Sequence, residues 1–152
     1  MKTIQIIPKN NKKTAQAILN DYLTELSQFD PDIKFDTNGV PIYKWFNAYW
    51  TEKERFPLYF MVDGNVAGMA LIREIDDCVY EVAEFYVKPQ FRKDGNAILF
   101  ANQVINLFCG KFLISTRHTN PRAVNFWSKF VEQFVLVKCT EDDIWKYWEV
   151  TK

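Results

Sequence analysis

A single histidine, His118, is all that the 152-residue chain offers, and three cysteines stand far apart. One histidine excludes multi-histidine metal chemistry. Cys78, Cys109 and Cys139 form no C-x-x-C pair and are odd in number, which argues against both a disulfide framework and a zinc site. No metal is expected. Net charge is missing as well, since 19 basic residues cancel 19 acidic ones. No global field therefore draws the chain to nucleic acid or to an anionic membrane. No apolar run is long enough to span a bilayer, and Met1-Lys2-Thr3-Ile4 opens without the apolar stretch of a signal peptide. The expected location is the cytoplasm, with neither nucleic acid nor membrane as partner.

What the chain has in quantity is aromatic rings: 13 Phe, 7 Tyr and 5 Trp. So many large side chains need a thick core or a pocket to line. The length suits one domain, residues 1–152, around one core. Residues 3–7 read as a short strand ending at Pro8. Ile18, Leu19, Tyr22, Leu23, Leu26 and Phe29 recur at helical spacing up to Asp30-Pro31. Ile42, Trp45, Phe46 and Tyr49 repeat at i, i+3, i+4 and i+7, which predicts a second helix. Asp63-Gly64-Asn65 between apolar runs at 58–62 and 66–75 predicts a hairpin. A strand over 79–87, a helix over 97–108 ending near Gly110, and a strand over 112–115 follow. A helix over 121–130 and two closing strands, 134–137 and 144–150, complete an α/β chain without repeats or linkers.

Residues 79–116 thus make a strand, a tight connection, a helix and a second strand, expected to be parallel to the first through a right-handed crossover. The connection carries Lys88, Arg92 and Lys93 where a helix begins. Unpaired N–H groups and the positive end of the helix dipole favour a phosphate there. Gly95 lets backbone approach the oxygens, and Ala97 keeps the first turn small.

The run Arg92-Lys93-Asp94-Gly95-Asn96-Ala97 resembles the acyl-CoA signature of the GNAT N-acetyltransferase superfamily, Gln/Arg-x-x-Gly-x-Gly/Ala. It follows a strand, Glu84-Phe85-Tyr86-Val87, that ends in Lys88-Pro89, as in that family. Asn120-Pro121-Arg122-Ala123-Val124-Asn125-Phe126-Trp127 resembles the family's second element, Asn-x-x-Ala-x-x-Phe-aromatic. A bare phosphate loop on a flavodoxin-like scaffold would leave that element unexplained. The resemblance implies a mixed, strongly twisted sheet with helices on both sides. It also implies acetyl transfer from acetyl-CoA to a primary amine, small molecule or peptide, by direct attack. Residues 92–97 would hold the pyrophosphate, the backbone of Phe85, Tyr86 and Val87 the pantetheine, and Asn120, Phe126 and Trp127 would complete the cofactor site. Family members often dimerise, so a homodimer is left open.

Acyl transfer to an amine needs a base, because such an amine titrates near ~10.4. Glu84 and Glu81 are the candidates. Three apart on a strand, they point to opposite faces unless a bulge intervenes. Glu84 is preferred, lying nearer the splay point among apolar neighbours that would raise its pKa. Many family members protonate the departing thiolate with a Tyr after the Phe of the second element. Trp127 stands there, and an indole N–H is no acid near neutral pH. Tyr86 and Tyr147 are the remaining candidates for that proton. Asp94 puts a carboxylate in the phosphate loop, where pointing outward or capping the helix is harmless and pointing inward would weaken cofactor binding. Tyr43, Trp50 and His118 are candidates for acceptor binding. The rival reading is a catalytically weak acyl-CoA-binding module.

Overall fold

The computed structural model describes all 152 residues. Seven strands, β1 (Lys2–Ile6), β2 (Arg55–Val62), β3 (Asn65–Asp76), β4 (Val79–Val87), β5 (Lys111–Arg117), β6 (Val135–Glu141) and β7 (Trp145–Thr151), form one mixed sheet. Its order is β1-β2-β3-β4-β5-β7-β6, and only β4 and β5 run parallel. Three helices cover it: α1 (Lys12–Leu26), α2 (Asn96–Leu107) and α3 (Pro121–Phe130). Helices on both faces of a mixed sheet are the architecture expected from the sequence.

Alternation along the strands divides the core in two. Tyr59, Met69 and Leu71 face one side, where Ala15, Ile18, Leu19 and Leu23 of α1 meet them. Leu58, Phe60, Ala70 and Ile72 face the other, against Phe100, Ala101, Val104 and Ile105 of α2 and Trp127 and Phe130 of α3. Phe60 and Phe100 stack with centroids 4.6 Å apart, both fully buried. Removing either ring would cost about 3–5 kcal/mol of stability.

One predicted helix is absent. The segment with Ile42, Trp45, Phe46 and Tyr49 forms an extended stretch, bridged Phe35↔Pro41, and then a short 3-10 turn, Phe46–Trp50. Ile42 and Trp45 are 54% and 46% exposed, whereas Phe46 and Tyr49 are 6% and 3%. Ring-rich sequence is a poor α former. The three-residue period of a 3-10 turn brings Phe46 and Tyr49 to one side without the full helical stripe.

The crossover from β4 through α2 returns the chain beside its own start, with Lys111 N–H bonded to the Cys78 carbonyl at 2.9 Å. This brings the free thiols of Cys78 and Cys109 together, with sulfurs 2.7 Å apart, a pairing invisible in their spacing. At the far end of β5, Arg117 is buried on the Trp145 ring. It donates to Asp30 and Asp32 at 2.6 Å each, fixing the loop after α1 to the sheet.

Candidate active site

β4 and β5 pair only from Val79↔Lys111 to Val82↔Ile114. Beyond that point each strand follows its other neighbour. β5 stays bonded to β7 as far as Arg117↔Trp145, and β4 stays on β3 as far as Gly68↔Val87. Gly68 permits this close approach, since a Cβ there would lie 2.1 Å from the Tyr86 carbonyl oxygen. The splayed strands open a cleft of about 430 Å³, whose walls include Phe85 to Val87, Ile114 to Thr116 and the α3 rings Phe126 and Trp127.

The loop after β4 forms one end of the cleft. Asp94 and Gly95 take successive left-handed conformations, φ 57° and 70°, and turn the chain into α2. For Asp94 this conformation carries a cost of roughly 1 kcal/mol. The amides of Gly95, Ala97 and Ile98 find no acceptor in the protein, while Asn96 N–H reaches Lys93 O and Leu99 N–H reaches Gly95 O. Arg92, Lys93, Gly95, Asn96 and Ala97 all line the cleft. Asp94 does not. It is exposed, takes a left-handed φ and makes no side-chain hydrogen bond, and it stands outside the lining where the sequence reading placed it. Asn96 is buried and ties α2 to the loop, its Nδ2 donating to the Phe91 carbonyl at 2.9 Å. Arg92 is already engaged, its Nε donating to Val87 O at 2.8 Å and its Nη2 to Glu25 at 2.9 Å. Arg122 reaches the same Glu25 at 3.3 Å.

At the splay point stands Glu84. Tyr22 of α1 donates its hydroxyl to Oε1 at 3.0 Å, and Tyr43 donates to Oε2 at 3.1 Å. Burial raises the carboxyl from 4.5 to about 7, against the lowering effect of the two tyrosine bonds. Burial and the nearby carboxylate in turn push both tyrosine hydroxyls well above their ordinary range.

Glu81 lies on the same side of the sheet as Glu84. The register slips between Leu71↔Glu84 and Ile72↔Val82, leaving Ala83 as an extra residue. This bulge inverts the alternation: Tyr80 and Val82 face the α2 side before it, and Phe85 and Val87 after it. Both carboxylates therefore line a second chamber of about 350 Å³, with Tyr43, Trp45, Tyr49, Arg55, Arg73 and Ser115. Val82, Ala83, Glu84 and Ser115 border both cavities. Glu81 is held by Arg73 at 3.4 Å.

A family model described as "Acetyltransferase (GNAT) family" matches residues 15–131. The chain belongs to the GNAT family. Solved structures agree in fold. A PaiA N-acetyltransferase from Thermoplasma acidophilum in complex with coenzyme A aligns over 100% of this chain and 99% of its own, with TM-score 0.69 and 12% identity. A spermidine N-acetyltransferase chimera from Vibrio cholerae and hSSAT aligns over 99% and 95%, with TM-score 0.70 and 15% identity. An acetyltransferase from Thermus thermophilus aligns over 98% and 96%, with TM-score 0.73 and 7% identity. Among curated proteins, none matches the chain significantly.

Within this GNAT fold some expected site residues lie elsewhere. Trp50 borders neither cavity. Its indole N–H donates to the Ile7 carbonyl at 2.9 Å and its ring packs on Phe46, because the 3-10 turn aims it at the segment just after β1 rather than at β4. His118 also borders neither. The pairing of β5 with β7 delivers it to the β6–β7 turn, where its ring nitrogen contacts the Asp143 carbonyl. Tyr147 is exposed and bonded to Asp142, outside the cleft. Trp127 is buried edge-on against Phe85, Phe126 and Phe130. Asn120 lines the cleft and also caps α3, its side chain accepting from Ala123 N–H at 3.2 Å. Tyr86 does border the cleft, between the Tyr22 ring and the Arg92 guanidinium.

Several residues at the two cavities carry no signal in the sequence. Tyr22 reads there as one more apolar position of the α1 stripe, although its hydroxyl is a polar tip at the stripe's edge. Glu25 offers only a charge on the turn after it. Arg55 and Arg73 sit on strands paired with each other, Arg55↔Arg73, and only that register brings both to the wall of the second chamber.

Proposed function

We propose that this chain is an N-acetyltransferase, carrying an acetyl group from acetyl-CoA to a primary amine by direct attack, with Glu84 as the base. The observation that carries this reading is the place of Glu84: a carboxyl near pKa 7 on the border of two cavities. A base titrating near neutrality is half ionised at working pH, which suits proton removal from an ammonium group.

The residues present fit coenzyme A in the larger cleft. Open amides of Gly95, Ala97 and Ile98, at the start of a 12-residue helix, with Lys93 and Arg122 beside them, suit a diphosphate. The unpaired end of β4, Phe85 to Val87, offers main-chain groups to an extended amide-bearing arm, and Phe126 and Trp127 give it an apolar wall. Bound there, acetyl-CoA supplies an activated thioester carbonyl. The amine enters from the second chamber and gives its proton to Glu84. Its nitrogen then forms the bond to the carbonyl carbon as the C–S bond breaks. The electron pair leaves on sulfur; of the two protons that the ammonium nitrogen gives up, one reaches the thiolate and the other passes to solvent, which returns Glu84 to its carboxylate form. Tyr22 and Tyr43 hold the carboxyl in place and keep both of its oxygens hydrogen-bonded.

The test is coenzyme A thiol release with a panel of amines. Turnover with at least one, lost in Glu84→Gln, is the expected result. Tight acetyl-CoA binding without turnover of any amine would leave a binding module. Trp127 at the position of the family's usual acid is the observation on that side. An acid contributes only ~10²–10⁴-fold, so its absence slows the reaction without forbidding it.

A further inference from the structure

We propose that the acceptor is a small amino acid, an amine that carries its own carboxylate, with Arg73 and Arg55 receiving the carboxylate while the amine faces Glu84. This rests on the acetyltransferase reading of the same site. The argument comes from the polar atoms of the second chamber, which are under-used in the folded chain.

Arg73 Nε is buried with no hydrogen-bond partner, and its only ion pair, to Glu81, is a loose 3.4 Å. The Tyr49 hydroxyl, on a residue only 3% exposed, makes no well-formed hydrogen bond, with Arg55 and Tyr43 as its polar neighbours. Neither atom is spent on an internal bond, and both residues line the chamber. Arg55 lies over the rings of Trp45 and Tyr49, 5.2 Å from each, and its Nε donates to Glu52 at 3.2 Å. That leaves the rest of its planar fork without a carboxylate. Two guanidiniums and a phenol on one wall form a donor set for a planar anion.

The charges decide what kind of amine fits. Lining the chamber are Arg55 and Arg73 on the positive side and Glu81 and Glu84 on the negative. Glu81 is already paired with Arg73, and Glu84 is the group that must accept the amine's proton. A second cationic centre on the acceptor would meet two guanidiniums and compete with Arg73 for Glu81, whereas a carboxylate would add bonds to donors that Glu52 and Glu81 leave open. A polyamine is therefore the wrong partner, even though a spermidine N-acetyltransferase shares the fold. At about 350 Å³ the chamber holds a compact molecule.

The experiment compares each amino acid with the amine that lacks its carboxylate: glycine with methylamine, alanine with ethylamine, 4-aminobutyrate with propylamine, and spermidine as the cationic probe. For at least one pair, wild-type kcat/KM should favour the amino acid by roughly tenfold or more, as a site built to bond a polar group rejects the analogue without it. In Arg73→Gln that ratio should collapse toward unity, chiefly through KM, while Arg73→Lys keeps part of it. Melting curves check that both variants fold, and the wild-type ratio decides the matter even if they do not. Equal or better turnover of the plain amines or of spermidine would overturn this inference and leave the acetyltransferase reading standing. A ratio unchanged in a folded Arg73→Gln protein would overturn it too. No turnover with any amine would overturn both.

Discussion

The two cavities that meet at Glu84 are built in different ways. The larger cleft is made of main chain and apolar walls: the unpaired end of β4, the open amides at the start of α2, and the rings of α3. The smaller chamber is made of side-chain tips, Tyr43, Tyr49, Arg55, Arg73 and Glu81, drawn from a loop and three strands. The first kind of site depends on backbone course and tolerates many side chains. The second depends on a few heads held at set distances. The difference teaches which changes should disturb the donor side and which the acceptor side.

The largest expected effect falls on the residue common to both. Glu84→Gln should lower kcat by ~10²–10⁴-fold with little change in either KM, measured as thiol release at pH 8. In the wild type, kcat/KM should fall on the acid side with a midpoint at about 7, the value to which burial raises this carboxyl. The same shift acts on stability. A folded-state value raised from 4.5 to about 7 makes a contribution fully present below about 4.5 and lost as pH rises through about 7. Melting temperature should therefore decline over that window, and that part of the decline should vanish in Glu84→Gln.

Next in size is a donor-side change. Gly95→Val forces a β-branched residue into φ 70°, at a cost of at least about 1–2 kcal/mol. Acetyl-CoA affinity, read by calorimetry, should weaken about tenfold, while the amine selectivity pattern stays as in the wild type. A selectivity change without loss of affinity would break the proposed division of labour.

On the acceptor side, Tyr43→Phe removes a hydrogen bond that holds the Glu84 carboxyl down. The acid limb of the pH profile should move upward, by up to about one pH unit for a bond worth ~1 kcal/mol. A limb that stayed in place or moved down would show that Tyr43 does not bond the carboxylate in solution.

The smallest effect is expected from Glu25→Gln. Glu25 engages Arg92 and Arg122 beside the phosphate end of the cleft. Removing its charge should free both and tighten acetyl-CoA binding by about two- to fivefold, with stronger salt dependence. Weaker binding would mean that Glu25 positions the arginines rather than competing for them.

Legibility in the sequence follows the same line. The loop 92–97 and the cap at Asn120 are written locally: a glycine where φ is positive, and an Asn three residues before the amide it accepts from. The same local reasoning misled at Ile42 to Tyr49, where helical spacing stood over a 3-10 turn, and it could not place His118, whose position depends on a strand pairing far along the chain.

By itself, the sequence determined the order of elements, the phosphate-suited start of α2 and a carboxylate on the strand before it, because these rest on contacts within a few residues. Tertiary structure decided the rest. The bulge at Ala83 turned Glu81 and Glu84 to one face, the divergence of β4 from β5 made the cleft, and the β2–β3 register placed Arg55 beside Arg73. Register and bulges come from pairing between distant segments, and no short stretch of sequence contains the partner that sets them.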